Sequence, residues 1–440
     1  MVHCPYGLRA NVTACPVDPT VPDMFVWLVL IALFLVIYQP LVLFGLYGEF
    51  PLAPRYIMCL AVLWTFSWLW DPKRLSGNIV AVALLVYASA TVVSALFSPY
   101  EGAFQNYHFQ TWIGHVLLFV IFITSVKTER DWRIVLIGFV VIYFAYMVHS
   151  YLGNWNRIAE LTGGYGSRLS GTGGRDANFF ATGIVCTIPL LLPLVTLCKR
   201  YWHYLFILGF ILLATRLVVL SASRGGLVAL VALAILPILF SRHRFKILPF
   251  VILALPLGWF SMGEQYQIRF RSIVDPTVVD FEHRGSESAR QGRIRGFQIS
   301  VNLWVNNPIS GVGPGMQGFI RGLDPHNLPG QLMGETGTLG IITFLFLLSC
   351  FGINHYNIWK NYKYLHEKDL GTEGLFCWRV SIATMYGVVS LLFQGLSLHN
   401  AHTFHWVWFA AFHALAAVFI QEKVTAAIQG KLLPNPPARM

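Results

Sequence analysis

The chain has 440 residues, of which 56% are hydrophobic and only 12% charged, and its mean hydropathy is +0.60. Ordinary soluble domains carry about 25% charged residues, so the composition excludes a water-soluble globular protein and points to a chain solvated mostly by lipid. A formal charge of +11 then belongs to basic loops facing anionic lipid, and a nucleic-acid partner is not expected.

The first 23 residues hold Arg9, Asp18, Asp23 and four prolines and read as a short polar tail, without an early apolar run and cleavage site. A helix needs about 17–25 residues to cross roughly 30 Å of hydrocarbon. Runs of that length are expected near 24–46, 51–70, 77–97, 109–126, 133–152, 177–197, 202–221, 226–241, 246–262, 337–356, 378–398 and 405–421, about twelve spans in an all-α polytopic protein. Gln39-Pro40 breaks the opening run. The organisation expected is a tail over 1–23, nine spans over 24–262, one large loop over 263–336, three spans over 337–421, and a tail over 422–440.

Lys73, Arg74, Lys127, Arg130, Arg133, Lys199, Arg200, Arg242, Arg244, Lys246, Lys360, Lys363 and Lys368 fall on alternate connections, and Lys423, Lys431 and Arg439 follow the last span. The positive-inside rule makes that face cytoplasmic, together with both termini. The outer face receives the loops at 47–50, 98–108, 153–176, 222–225, 263–336 and 399–404. Cysteines 4, 15, 59, 186, 198, 350 and 377 include no CxxC pair and read as small core residues, not metal ligands or a disulfide framework.

The outer face is unusually rich in arginine. Arg175 stands at the start of a span, Arg224 in the short turn "SASRGG", and Arg269, Arg271, Arg284, Arg290, Arg293, Arg295 and Arg321 in the large loop. A cation kept on the disfavoured side and close to hydrocarbon usually has a partner. Gly225-Gly226 lets the turn approach another group closely, and the planar guanidinium fork of Arg224 suits phosphate oxygens; the bland alternative is an anchor to lipid phosphates. Arg216, inside a span, reads as structural. In the large loop, Ile294, Phe297, Val301 and Trp304 recur at helical spacing, which predicts an amphipathic helix over 293–307 that lies on the bilayer or caps a cavity. Glycine-rich 163–181 leads into a span whose Asp176 and Asn178 are plausible caps.

The stretch "RGLDPHNLPGQLMGETGTLG" (321–340) predicts irregular or briefly helical backbone just before a span. His326 suits a general base, because imidazole titrates near neutrality. Asn327 is expected to orient a sugar hydroxyl, and Glu335 to orient the imidazole or pair with arginine. His399, His402 and His405, or Asp324 with His326 and Glu335, admit a metal reading, as does Asp280 with Glu282; none is favoured, and no metal or cofactor is expected.

Together these stretches resemble the O-antigen ligase and polymerase family of bacterial inner-membrane proteins with a Wzy-type C-terminal domain. The match rests on "SASRGG", on "GRIRGFQISVNLWVNNPISGVGPGMQGF" (292–319), on the His-Asn-x9-Gly-x-x-Gly pattern formed by His326, Asn327, Gly337 and Gly340, and on the single large outer loop. The resemblance implies a GT-C-like fold and metal-independent glycosyl transfer on the periplasmic side. The donor would be a glycan on undecaprenyl diphosphate and the acceptor lipid A-core, another glycan or a protein. It assigns His326 as general base or acceptor-orienting group, Arg224 to the diphosphate and Arg293 to the leaving-group charge; Arg175, Arg290, Arg295, Asn327 and Glu335 are expected to bind substrate. "RDAN" at 175–178 and Phe297 depart from the family pattern. Repeat-unit polymerisation is the alternative within the class. A transporter of an anionic lipid or sugar is the alternative outside it, disfavoured because no two matching halves are visible; the clustered arginines argue against a purely structural subunit.

Overall fold

The computed structural model describes residues 24–38, 52–66, 72–154, 168–171, 176–240, 259, 263–271, 275 and 286–432, with the backbone alone at 52–55, 66, 72–73, 240, 265 and 286–290. The described residues form helices α1 (Met24–Tyr38), α2 (Leu52–Phe66), α3 (Pro72–Ser76), α4 (Ile79–Leu96), α5 (Tyr107–Ser125) and α6 (Glu129–Gly153). They continue with α7 (Ala177–Leu197), α8 (Tyr201–Leu220), α9 (Arg224–Phe240), α10 (Glu264–Arg271), α11 (Ser286–Asn306) and α12 (Met316–Arg321). The last three are α13 (Leu328–Glu367), α14 (Gly371–Gly395) and α15 (Phe404–Ile428). Eight of these are long and apolar enough to cross a membrane, and α1, the apolar part of α2 and α9 are shorter. Most of the run expected at 246–262 lies outside the described residues. The protein is therefore a multi-pass, all-helical membrane protein.

Local chemistry marks the helix starts. Asn78 Oδ1 accepts from the N–H of Val80 and Ala81, Asn106 from His108, Thr128 from Asp131 and Asp176 from Asn178, each taking up donors a helix start leaves unpaired. Pro189 and Pro193 lack the N–H a regular helix needs, and α7 tightens there into two 3-10 turns. Helix α15 is apolar all round and sits at the centre, with Trp406, Trp408, Phe409 and Phe412 buried. Its neighbours are tied to it by polar contacts inside the apolar bundle: Asn78 Nδ2 donates to Ala414 O, Asn354 Nδ2 to His413 O, and Thr384 Oγ1 meets His413 Nδ1 at 2.6 Å. In lipid such bonds are worth about 0.6–2 kcal/mol each. The outer surface carries Leu205, Leu208 and Leu212 on α8 and Ile342, Leu345 and Ile353 on α13, all exposed; hydrocarbon, not water, suits them.

Successive spans alternate in direction, which gives the bundle two chemically different ends. At one, Lys423 Nζ lies 2.8 Å from Glu129 and 3.5 Å from Glu373, and Arg74 donates to the carbonyls of Val126 and Lys127. At the other end meet the connections before α5, α7, α9, α13 and α15.

The amphipathic helix expected over 293–307 forms as α11, but its contact face differs from the apolar stripe. Gly296, Ser300 and Leu303 are buried, whereas Ile294 and Phe297 are 45% and 38% exposed. Ser300 Oγ donates to Gln317 Oε1, and Gln317 Nε2 to Gly296 O, so a polar seam joins α11 to α12 beside the apolar cluster that Ile299 and Leu303 share with Met316 and Ile320. The tenth span begins earlier than 337: α13 starts at Leu328, passes through a π turn at Leu332–Thr336, and continues to Glu367.

Candidate functional site

The π turn frees backbone carbonyls, and the "GVGPG" loop satisfies them. Val312 N donates to Gly334 O and Gly313 N to Glu335 O, while Thr338 N and Leu339 N donate back to Pro308 O and Ile309 O. Two glycines permit this approach: a Cβ on Gly311 (φ +67) would lie 2.5 Å from the Glu335 carbonyl carbon, and one on Gly337 (φ +65) 2.5 Å from Ile309 O. The carboxylate of Glu335 is buried beneath this strap. It accepts from Gln331 Nε2 and from the N–H groups of Gly315 and Gln317, and lies 3.7 Å from His402 Nδ1. Glu335 is thus a buried brace for α12, and among the described residues the partners found for it are neither His326 nor an arginine.

His326 stands just before α13 in a left-handed conformation, φ +55, which costs a non-glycine residue about 1–3 kcal/mol. Asn327 holds it there, its Oδ1 accepting from Gly330 N and its Nδ2 donating to Pro325 O. Each end of that amide makes one bond to the backbone, so Asn327 positions the histidine.

His326 and Arg293 line one cavity of about 460 Å³, together with His108, Asp176, Asn178, Phe179, Asp324 and His399. The ring of His399 lies 5.9 Å from that of His326 and its Nε2 4.0 Å from Asp324 Oδ2. Burial, opposed by Asp324 and assisted by Arg293, lowers the proton affinity of His326 below that of an ordinary imidazole. Burial likewise lowers that of His399 and pushes His402 down to about 3. At neutral pH the rings are neutral and able to accept a proton.

The "SASRGG" turn adjoins this cavity and is held on every side. Arg168 Nε donates to Ser221 O and its Nη2 to Asn178 Oδ1, which also accepts from Ser223 Oγ. Arg269 Nε donates to Ala222 O at 2.8 Å. A Cβ on Gly225 would lie 2.3 Å from Ser397 Oγ, and Ser397 lines the cavity. Arg224 opens α9 immediately after the turn. Burial first, then the charges of Arg224 and Arg269, lower the proton affinity of Arg293, so three guanidinium groups stand within electrostatic reach of one another beside His326.

Of the expected site residues, the structure therefore brings together His326, Arg293 and Arg224. Arg295 faces a different cavity, with Asn302, Ile320 and Arg321. Arg175, and the side chain of Arg290, lie outside the described residues, as do Arg284, Asp280 and Glu282. Arg269, His399, Asp324 and His108 join the site without having been assigned to it, and Arg168 braces its turn. Only their place on outer-face connections gave a sequence signal. Among the described residues no group of three or more His, Cys, Asp and Glu side chains is placed to hold a metal ion. A second cavity, of about 600 Å³, shares His108 and Asp324 with the first and is lined further by Gln105, Asn106, Tyr107 and Phe319.

Fold and site together define a multi-pass membrane protein with a basic, histidine-bearing cleft at one end. Residues 208–345, from α8 into α13, match the family model described as O-Antigen ligase. The match over that segment agrees with the resemblance the motifs show. No curated protein matches the chain.

Proposed function

We propose that the protein transfers a glycan from a polyprenyl diphosphate to an acceptor hydroxyl, in the cleft between α11 and the start of α13, on the periplasmic side of the bacterial inner membrane. The observation that carries this reading is one cavity lined by a neutral imidazole, His326, and a half-buried guanidinium, Arg293, with Arg224 and Arg269 close enough to act on it electrostatically.

The chemistry follows from these groups. His326 accepts the proton of the acceptor hydroxyl as its oxygen forms a bond to the anomeric carbon. The bond from that carbon to the phosphate oxygen breaks, and the electron pair leaves on the lipid diphosphate. Attack and departure on opposite faces invert the anomeric centre. Arg293 and Arg224 bind the diphosphate and offset its growing charge, with Arg269 behind them; each hydrogen bond to a charged group contributes about 1.5–3 kcal/mol, and fixed donors aimed at developing charge need no reorganisation. The adjoining cavity, with amides, a carboxylate and the exposed rings of Tyr107 and Phe319, suits sugar rings next to the reacting centre. Twelve spans and a GT-C-type arrangement belong to the same reading.

The test is a deletion strain complemented with Arg224→Ala and His326→Ala. Loss of transfer by both, with normal membrane insertion, is expected; near-normal activity of either removes that residue from the site. Polymer accumulating on the carrier in the deletion strain marks a ligase, and single repeat units mark a polymerase.

A further inference from the structure

Helix α11 presents two arginines to two different places. Arg293 and Arg295 are two residues apart, roughly 200° around the helix, so one faces the cleft of His326 and the other cannot. Arg295 lines a separate cavity of about 440 Å³ between α11 and α12, with Arg321, Asn302, Ile299, Leu303 and Ile320. Both arginines are exposed, and neither has a hydrogen bond or ion pair among the described residues. Two guanidinium groups on one cavity, with no carboxylate among its described lining residues, repel each other, and an anion between them relieves that repulsion.

The rest of the cavity says which anion. Its floor is Ile299, Leu303 and Ile320, of which Ile299 and Ile320 are partly exposed. Planar guanidinium forks match phosphate oxygens, and an uncovered apolar surface beside them suits hydrocarbon. We propose that this cavity is a binding site for the phosphate head group of an anionic lipid, with Arg295 and Arg321 on the phosphate, Asn302 on its ester or hydroxyl oxygens, and the acyl part against Ile299 and Ile320.

Two sources share that chemistry: a bilayer phospholipid, and a phosphorylated glycolipid presented as the acceptor. The second rests on the glycan-transfer reading; the site itself does not. The test uses the full chain in nanodiscs of phosphatidylcholine, scored by native mass spectrometry for bound phosphatidic acid and for a phosphorylated glycolipid, lipid A, beside its dephosphorylated form. Arg295→Gln and Arg321→Gln, on exposed side chains, are expected to weaken binding about tenfold each, and Lys360→Gln, at the opposite end of the bundle, to leave it unchanged. Preference for phosphatidic acid identifies a bilayer lipid, whereas preference for phosphorylated lipid A identifies an acceptor seat. Equal binding by the double variant and the wild type, or an equal loss of binding in Lys360→Gln, overturns the proposal. No transfer is measured, so a failed transfer mechanism would leave this result readable.

Discussion

His326 is held in a costly backbone conformation by the side-chain amide of Asn327, and its ring is kept neutral by burial. Both features suit a base that must be ready before the substrate arrives. Rate against pH is expected to fall on the acid side with a midpoint below 6.5, the ordinary imidazole value. Asp324 raises the proton affinity of His326, so Asp324→Asn should move that midpoint lower still; a shift to higher pH would show that another group titrates. His326→Ala should cost about 10²–10⁴ in turnover with a smaller effect on donor binding, and equal losses of both would reassign it to binding. Arg293→Ala should cost about 10²–10³ in turnover, measured with donor in excess.

At the scale of the element, the site depends on how closely α11 reaches the loop that carries His326. A Cβ on Gly296 would lie 2.6 Å from Asp324 O and 3.2 Å from Pro325 O. An alanine in a helix interior ordinarily stabilises by about 0.5–1 kcal/mol relative to glycine. Here the backbone opposite has to move, so Gly296→Ala should lower thermal stability in detergent and reduce activity. Gly352→Ala, on α13 with open space around it, should raise stability instead. If both variants behave alike, the close approach is not what constrains Gly296. The "GVGPG" strap is likewise an element-scale device, because its N–H groups close the carbonyls that the π turn leaves open.

For the molecule as a whole, the two ends differ in charge and in what they hold. Replacing Phe319 and Lys368 singly by cysteine in a cysteine-free background should give labelling of Phe319→Cys, but not Lys368→Cys, by a membrane-impermeant thiol reagent added to the periplasmic side; the reverse pattern would invert the proposed orientation. Because guanidinium groups take the diphosphate in the proposed reaction, transfer should survive EDTA, and a requirement for added divalent ion would contradict that mechanism. Buried neutral histidines also tie stability to pH. The folded proton affinities of His399 and His402 lie below those of the unfolded chain, so their contribution is complete above about 6.5 and is lost as pH falls from there toward about 3. Thermal unfolding should therefore occur at lower temperature in mild acid, and His402→Gln should reduce that dependence.

The sequence by itself determined the lipid environment and most of the helices, because the length of an apolar run is a local property that hydrocarbon reads directly. It also singled out His326, Arg224 and Arg293, whose surroundings in the chain are unusual: a histidine before a glycine-broken helix, and arginines on outer-face connections. Tertiary structure decided the partners. Glu335 and His326 are nine residues apart, yet one is buried under a strap from 311–313 and the other opens on a cavity. Arg295 and Arg293 are two apart, and helical rotation sends them to different cavities. Asn327 braces the backbone on either side of itself, a role its place in the chain did not show. Arg269 and His399 enter the site from positions 45 residues beyond Arg224 and 73 beyond His326 in the chain. Spacing along a sequence carries no information about such meetings, since they are fixed only when separate spans pack side by side.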